Sequence, residues 1–296
     1  MNPITQVIPP DLKDNIYLNE FARQRSLESA YRLLLKLREL KLNIVTAESL
    51  TAGLIAKTLV DIPTFGPNIY GGIIVYDSDA KRKFLNVGTA NVYSDETAKQ
   101  MAEGALLNSR AMVSIAVTGN AGPVRLPDIE TLGVVDIGVS VRLHSSTNAN
   151  KWSTCTETTR INTCKDEKHY THLCALYRKE LELDFGNCKP INKSNPFTCS
   201  SLGSLSLIRN IIRTHTVASA CSFALDVLIR LQNNNRLPIA DEVSNLMQVE
   251  NWDGKYIGCD EPSYIIERYL DKENMKKVVD GISKKNLLFP AKTFSN

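Results

Sequence analysis

The sequence predicts a three-layer α/β/α domain with a mixed, mostly parallel sheet, a cysteine-bearing insertion and a helical C-terminal tail. Three observations predict it. Short β-branched runs alternate with helix-periodic segments from residue 26 to residue 141, the order that makes an α/β domain with its sheet covered on both faces. Two apolar runs, "AMVSIAVTG" (111–119) and "LGVVDIGVSV" (132–141), follow one another across a loop. The segment 205–231 is apolar nearly all round, as a helix buried in a core must be.

Size and composition allow this and exclude other classes. At 296 residues, 43% hydrophobic and 23% charged, the chain can bury a sizeable core, with one large domain plus appendages. A net charge of +3 is too small to imply a nucleic-acid or membrane-surface partner. The opening "MNPITQVIPPDLKDN" lacks a basic start followed by an apolar run, and no stretch approaches a bilayer span. The expectation is a cytoplasmic protein.

Taken in order, residues 1–25 read as a proline-bearing arm. Ser26 reads as the cap of a helix whose Leu27, Ala30, Tyr31, Leu34 and Leu37 share one face. Strand 43–47 and helix 50–60 follow, stopped by Asp61-Ile62-Pro63; then come strand 70–76, "YGGIIVY", and the helix of "DAKRKFL". Ser94 opens a further helix, with Asp95 and Glu96 in its first turn. After the two strands already quoted, 152–161 reads as an edge strand and 162–204 as the insertion. The domain thus runs from 26 to 232, with a helical extension over 233–296.

Cysteine is concentrated in and near that insertion: Cys155, Cys164, Cys174, Cys188 and Cys199 lie there with His169 and His172. A metal site from Cys164, His169, His172 and Cys174 is one reading, but the short C-x-x-C spacing that marks zinc is missing. A disulfide staple would need an oxidising compartment. Reduced thiols, no metal and no cofactor are expected.

The candidate chemistry begins where strand 43–47 meets helix 50–60, at Glu48-Ser49. Ser49 reads either as a helix cap or as a nucleophile held on a rigid turn, with the helix N-terminus offering N–H groups to an oxyanion. A serine nucleophile needs a base. His144, His169 and His172 lie in or beside the insertion and His215 inside the long helix, so a Ser-His-Asp triad finds weak support. Lysine serves where burial lowers its pKa, and "VYDSDAKRK" supplies Tyr76 and Lys81, unless Lys81 merely shares a solvated run with Arg82 and Lys83. Ser78-Asp79-Ala80-Lys81 matches S-x-x-K, yet its companions S-D-N and K-T-G are absent from the sequence. "VTGNAGP" (117–123) places backbone N–H groups at a strand's C-terminal end, where open α/β sheets bind ligands.

Together these pieces resemble the C-terminal domain of the competence/damage-inducible CinA family, the nicotinamide-nucleotide amidase. The family's A-E-S-C-T-G-G is similar to Ala47-Glu48-Ser49-Leu50-Thr51-Ala52-Gly53, and its G-G-x-x-x-Y-x-x-x-x-K to Gly71-Gly72, Tyr76 and Lys81. Its S/T-G-x-A-G-P is similar to Thr118, Gly119, Ala121, Gly122 and Pro123. The resemblance implies hydrolysis of the carboxamide of nicotinamide mononucleotide or a related amide. It implies Ser49 as nucleophile, Lys81 as base and Tyr76 as a helper in the proton relay, with no metal. Glu48, Thr51, Thr118, Gly119, Ala121 and Gly122 would line the nucleotide pocket, and a family arginine corresponds to Arg209 or Arg213.

Departures open a second function. Phe65 and Gly66 stand where the family has a serine pair, Leu50 and Ala52 replace cysteine and glycine, and Val124-Arg125-Leu126 replaces a glycine run. Arg125 would then be a phosphate-binding cation or simply exposed. An active amidase and a catalytically degenerate module binding a nucleotide or protein both follow. The expected partner is a small nucleotide or amide, and assembly into a homo-oligomer is left open.

Overall fold

The computed structural model describes residues 10–122, 130–144, 152–165, 170, 173 and 199–237. Helix α1 (Pro10–Glu39) is followed by β1 (Ile44–Glu48), α2 (Leu54–Val60) and, after a 3-10 turn at Gly66–Asn68, β2 (Ile69–Ile74). Then come α3 (Ser78–Leu85), α4 (Asp95–Leu107), β3 (Val113–Gly119), β4 (Val134–His144), β5 (Trp152–Asn162) and α5 (Cys199–Asn233).

The five strands form one sheet in the order β2-β1-β3-β4-β5. β1 runs parallel to both β2 and β3, while β3–β4 and β4–β5 are antiparallel. The sheet is mixed, as expected, with its pairings evenly divided between the two senses. β5 is an edge strand, and β2 is the other edge.

Two cores cover the two faces, which makes the three layers. On one side Ile44, Ile115, Val117, Ile137 and Val139 pack with Leu33, Leu37, Ile55, Leu59, Ile208, Ile212 and Leu228 of α1, α2 and α5. On the other, Val45, Ala47 and Ala116 pack with Leu85, Met101, Ala102 and Ala105 of α3 and α4. The period-two alternation of β1 therefore sends Val45 and Ala47 one way and Ile44 the other.

Three expectations need correction. The arm expected over 1–25 is helical from Pro10, a residue whose missing N–H costs nothing in a first turn. Ser26 is no cap: it is buried in mid-helix, and its hydroxyl donates back to the Arg23 carbonyl at 2.7 Å. The long helix begins at Cys199, inside the span expected to be insertion. The expected extension over 233–296 lies outside the described residues beyond Leu237. The expected cap at Ser94 is present, its hydroxyl accepting from the Thr97 N–H. Among the described residues no helix is long and apolar enough to cross a membrane.

The α3–α4 layer is thin because α4 approaches its neighbours at glycine. A Cβ added at Gly104 would lie 2.1 Å from the Leu85 carbonyl oxygen, a backbone atom that cannot yield without moving α3. Gly104→Ala should therefore destabilise the protein by about 1–3 kcal/mol, the usual cost of overpacking. That outweighs the ~1 kcal/mol of helix propensity alanine brings. The midpoint of denaturant unfolding measures the difference.

Candidate functional site

The site is built at the C-terminal ends of the parallel strands, where β1 stops and the chain turns toward α2. Glu48 is the last residue of β1 and is fully buried. Its carboxylate accepts from the Ile55 N–H at 3.0 Å, the Ala56 N–H at 2.8 Å and the Thr46 hydroxyl at 2.9 Å. The two amides are first-turn donors of α2, which no earlier residue of the helix can satisfy. A buried anion on a helix N-terminus also meets the favourable end of the dipole.

This overturns the reading of Ser49 as the helix cap. The helix starts at Leu54, and the residue before it, Gly53, is left-handed at φ 91°. Ala52 is left-handed too, at φ 52°. Residues 49–53 thus form a tight turn, closed by the Ala52 N–H on the Ser49 carbonyl at 3.1 Å. The N–H groups expected to hold an oxyanion are occupied: those of Ile55 and Ala56 by Glu48, and that of Leu54 by the Thr51 carbonyl. The carboxylate reached the helix start first.

Ser49 sits between strand ends. Its N–H donates to the Val117 carbonyl of β3 at 3.2 Å, and the Glu48 carbonyl accepts from Val75, just past β2, at 2.9 Å. Ser49 is buried, yet its hydroxyl makes no hydrogen bond to a described residue. The next residue after Val75 is Tyr76, and its carbonyl accepts from Lys81 Nζ at 3.0 Å.

Lys81 is 2% exposed, unlike the exposed Arg82 and Lys83 beside it, so it is not part of a solvated run. It rises from α3, whose start is fixed by the Asp77 carboxylate accepting from the Asp79 N–H at 2.7 Å. Burial lowers the Lys81 pKa, and nearby Asp77 only partly opposes the shift. A neutral amine is thereby favoured over an ordinary lysine.

The phenol of Tyr76 turns elsewhere. The side chain is 61% exposed, and its hydroxyl accepts from Arg209 Nη2 of α5 at 3.0 Å. The same guanidinium donates to the Gly122 carbonyl after β3. Tyr76 thus meets Lys81 through its backbone, and no hydrogen bond among the described residues joins its hydroxyl to Ser49 or Lys81.

One turn along α5, Arg213 donates to the Thr51 carbonyl at 2.7 Å. Burial, then the nearby Arg209, lowers its pKa, while Glu48 and Tyr76 pull the other way. Its Nε and the Thr51 hydroxyl are buried polar atoms with no partner among the described residues. Arg213 thus reaches the Ser49 turn while Arg209 bridges Tyr76 and the loop after β3, each held by neutral oxygens.

The other expected pocket residues play structural parts. Thr118 is buried, its hydroxyl donating to the Val92 carbonyl at 2.6 Å. At Gly119 a Cβ would lie 2.5 Å from the Val134 carbonyl oxygen of β4. Ala121 is buried. The Gly122 N–H donates to Asn120 Oδ1 at 2.9 Å and the Asn120 N–H to the Val134 carbonyl at 2.9 Å, so two backbone amides of this turn are already engaged. Arg125 lies outside the described residues, as do His169, His172 and Cys174.

Among the described residues no group of three or more side chains fit for a metal occurs, and Cys155 and Cys221 are free thiols. Burial, with the charge of Glu48, pushes the Cys221 thiol up to about 12, leaving it unreactive. What sequence reasoning missed is the carboxylate's role, for which Thr46, two residues back on the same strand face, is the only local sign.

Residues 26–167 match the family model described as the CinA C-terminal domain. That segment is a CinA C-terminal domain. It is just under half of the 296-residue chain and carries β1 to β5 with Ser49, Tyr76 and Lys81. A CinA-like protein of Leptospira borgpetersenii serovar Hardjo-bovis (strain L550) is 46% identical over 108 residues, 35% of this chain and 26% of that protein. A CinA-like protein of Chloroherpeton thalassium is 40% identical over 104 residues, 33% of this chain and 25% of that protein. The chain thus spans about a quarter of the length of these relatives. The crystal structure of competence/damage inducible protein CihA from Agrobacterium tumefaciens aligns with 70% of this chain and 96% of its own. It does so at 28% identity and a TM-score of 0.44.

In this CinA domain the roles of Glu48 and Ser49 are separable. Glu48→Ala leaves two helix donors and a threonine hydroxyl unpaired in the core and should cost about 2–4 kcal/mol. Ser49→Ala removes a hydroxyl that caps nothing and should change stability by less than about 0.5 kcal/mol. Chemical denaturation of the two variants side by side measures the contrast.

Proposed function

We propose that the CinA domain is an amidohydrolase acting on the carboxamide of nicotinamide mononucleotide or a related amide. The observation that carries this is Lys81: a lysine buried at the strand ends, hydrogen-bonded to a neutral carbonyl rather than a carboxylate. In the reaction, neutral Lys81 takes the Ser49 proton as the hydroxyl oxygen bonds to the amide carbon. The C–N bond then breaks, the lysine's proton leaves with ammonia, and water releases the acid from the acyl-serine. Closing the Ser49–Lys81 hydrogen bond belongs to the substrate complex, where catalytic contacts tighten. Arg209 and Arg213 supply the charge for a phosphorylated substrate, a part for which Arg125 was the other candidate.

One observation favours a second reading, a nucleotide-binding module without turnover. The Tyr76 hydroxyl is held by Arg209 and away from the proton relay.

Ammonia release by the purified chain, over a panel of pyridine nucleotides and small amides, separates the two. The amidase reading expects turnover that Ser49→Ala reduces on the order of 10³-fold or more. Because neutral Lys81 is the active form, kcat/KM should rise with pH as that proton is lost. Its ascending limb should lie below the ordinary lysine value of 10.5, since burial lowers the pKa. Binding of nicotinamide mononucleotide without any ammonia would establish the module instead.

The arginines give a separate expectation. Arg209→Ala removes one charged hydrogen bond, about 1.5–3 kcal/mol, or roughly ten- to a hundredfold in affinity. KM for a phosphorylated amide should rise by that factor while kcat, and KM for the unphosphorylated amide, change little. Steady-state kinetics on the matched pair of substrates measures it.

A further inference from the structure

Two buried backbone amides beside Ser49 are unspent. In the turn from Ser49 to Gly53, the Ser49 N–H donates to the Val117 carbonyl and the Ala52 N–H to the Ser49 carbonyl. Those of Leu50 and Thr51 donate to no described residue, although Leu50 is 2% exposed and Thr51 fully buried. Buried backbone donors are almost always paired. Two successive unpaired ones, directly after a candidate nucleophile, call for an acceptor that arrives with a ligand.

Turn geometry sets them toward the serine. The bond from the Ala52 N–H to the Ser49 carbonyl closes a four-residue turn whose central residues, Leu50 and Thr51, do not have positive φ. Among the standard hydrogen-bonded turns that leaves type I. A serine at the first position of such a turn has its side-chain oxygen near the N–H two residues on, here that of Thr51. A second turn follows, closed by the Leu54 N–H on the Thr51 carbonyl at 3.1 Å, with Ala52 and Gly53 left-handed inside it. Arg213 donates to that same carbonyl at 2.7 Å, and Leu50 is part of the larger core, so both ends of the unpaired stretch are anchored. Successive N–H groups next to left-handed residues make concavities that take anions.

The competing donors are engaged. The α2 amides of Ile55 and Ala56 serve Glu48, so the helix start plays no part. After β3, the Gly122 N–H serves Asn120 Oδ1 and the Asn120 N–H serves the Val134 carbonyl. Lys81 Nζ donates to the Tyr76 carbonyl and is reserved for the serine's proton.

We propose that the Leu50 and Thr51 N–H groups are the oxyanion hole of the Ser49 site. The inference rests on the amidase reading and supplies its electrophilic half. As Ser49 Oγ bonds to the amide carbon, its proton passes to neutral Lys81 and the carbonyl π electrons move onto oxygen. That oxygen shares a carbon with Oγ, so its donors must come from the nucleophile's own turn, and it accepts from both N–H groups. When the C=O re-forms, the C–N bond breaks and nitrogen leaves as ammonia with the Lys81 proton. Such donors act where charge develops and hold the substrate's neutral carbonyl less strongly.

The test uses the full chain, with circular dichroism to verify each variant's fold. Proline suits the second position of a type I turn, so Leu50→Pro deletes one N–H, and Leu50→Ala, which keeps it, controls for the lost side chain. A second variant carries the α-hydroxy acid analogue of threonine at Thr51, which turns the Leu50–Thr51 amide into an ester and leaves the side chain unchanged. Each deletion should lower kcat for ammonia release about 10²–10³-fold against its control, with KM little changed. A readout independent of turnover is 3-pyridylboronic acid, followed by boron NMR. Ser49 Oγ adds to boron, its proton passing to Lys81, and a hydroxyl of the tetrahedral boronate takes the oxyanion's place. Its affinity should fall roughly tenfold or more in each deletion. Deletions that match their controls in both readouts overturn the proposal, while wild-type ammonia release keeps the amidase. So does loss of kcat with boronate affinity intact, or a wild type that forms no boronate adduct. A wild type that binds boronate through these amides but releases no ammonia keeps the hole and discards the amidase reading.

Discussion

A single buried carboxylate organises the functional end of this domain. Glu48 gives up its hydration entirely, a cost of several kcal/mol for an isolated charge. Two helix amides and a hydroxyl offset it. In doing so it fixes where β1 stops, where α2 begins and how many residues lie between. The turn of Ser49 to Gly53 is held at one end by the Ser49 N–H on the Val117 carbonyl and at the other by the Glu48 carboxylate on Ile55 and Ala56. The left-handed Ala52 and Gly53 are the backbone consequence: five residues must cross a gap that a relaxed chain would span differently.

The two faces of the sheet then divide the remaining work. One face, packed with large aliphatic side chains from α1, α2 and α5, carries most of the burial. The other is built largely of alanine and glycine, with Ala47, Ala98, Ala102, Ala105 and Ala116 all fully buried. Small residues let α4 lie close to the sheet and bring α3 in behind it. Lys81 of α3 is itself a buried residue, and its amine finds one carbonyl.

How much of this was legible in the sequence follows the range of the interactions. Strand positions and the cap at Ser94 rest on contacts within a few residues, and pattern reading located them. The start of α2 depends on bonds from Glu48 to residues seven and eight further on, beyond any capping rule. Lys81 looked like part of a charge run because its neighbours Arg82 and Lys83 are one; only packing separates it from them. The Tyr76–Arg209 contact joins residues 133 apart, which no local pattern encodes. The family resemblance supplied the site residues, and residues 26–167 match the CinA C-terminal domain, but what it implied for the phenol, the helix-start amides and the engaged amides after β3 did not specify this geometry.

The arginines of the site stand on a long rod. α5 is 35 residues, roughly 50 Å at 1.5 Å per residue. It runs parallel to α1, joined by Asn210 to Asn19, Ser222 to Ser29 and Gln232 to Glu39, at 2.6, 3.1 and 3.3 Å. Near its far end Arg230 reaches Glu157 on β5. An anion held by Arg209 and Arg213 would therefore clamp a helix that cannot loosen without unzipping α1 and releasing the edge of the sheet. At a hundred times its dissociation constant such a ligand adds about 2.7 kcal/mol to the folded state. That increment would be spread along the helix pair as slower amide hydrogen exchange, far from the atoms it touches.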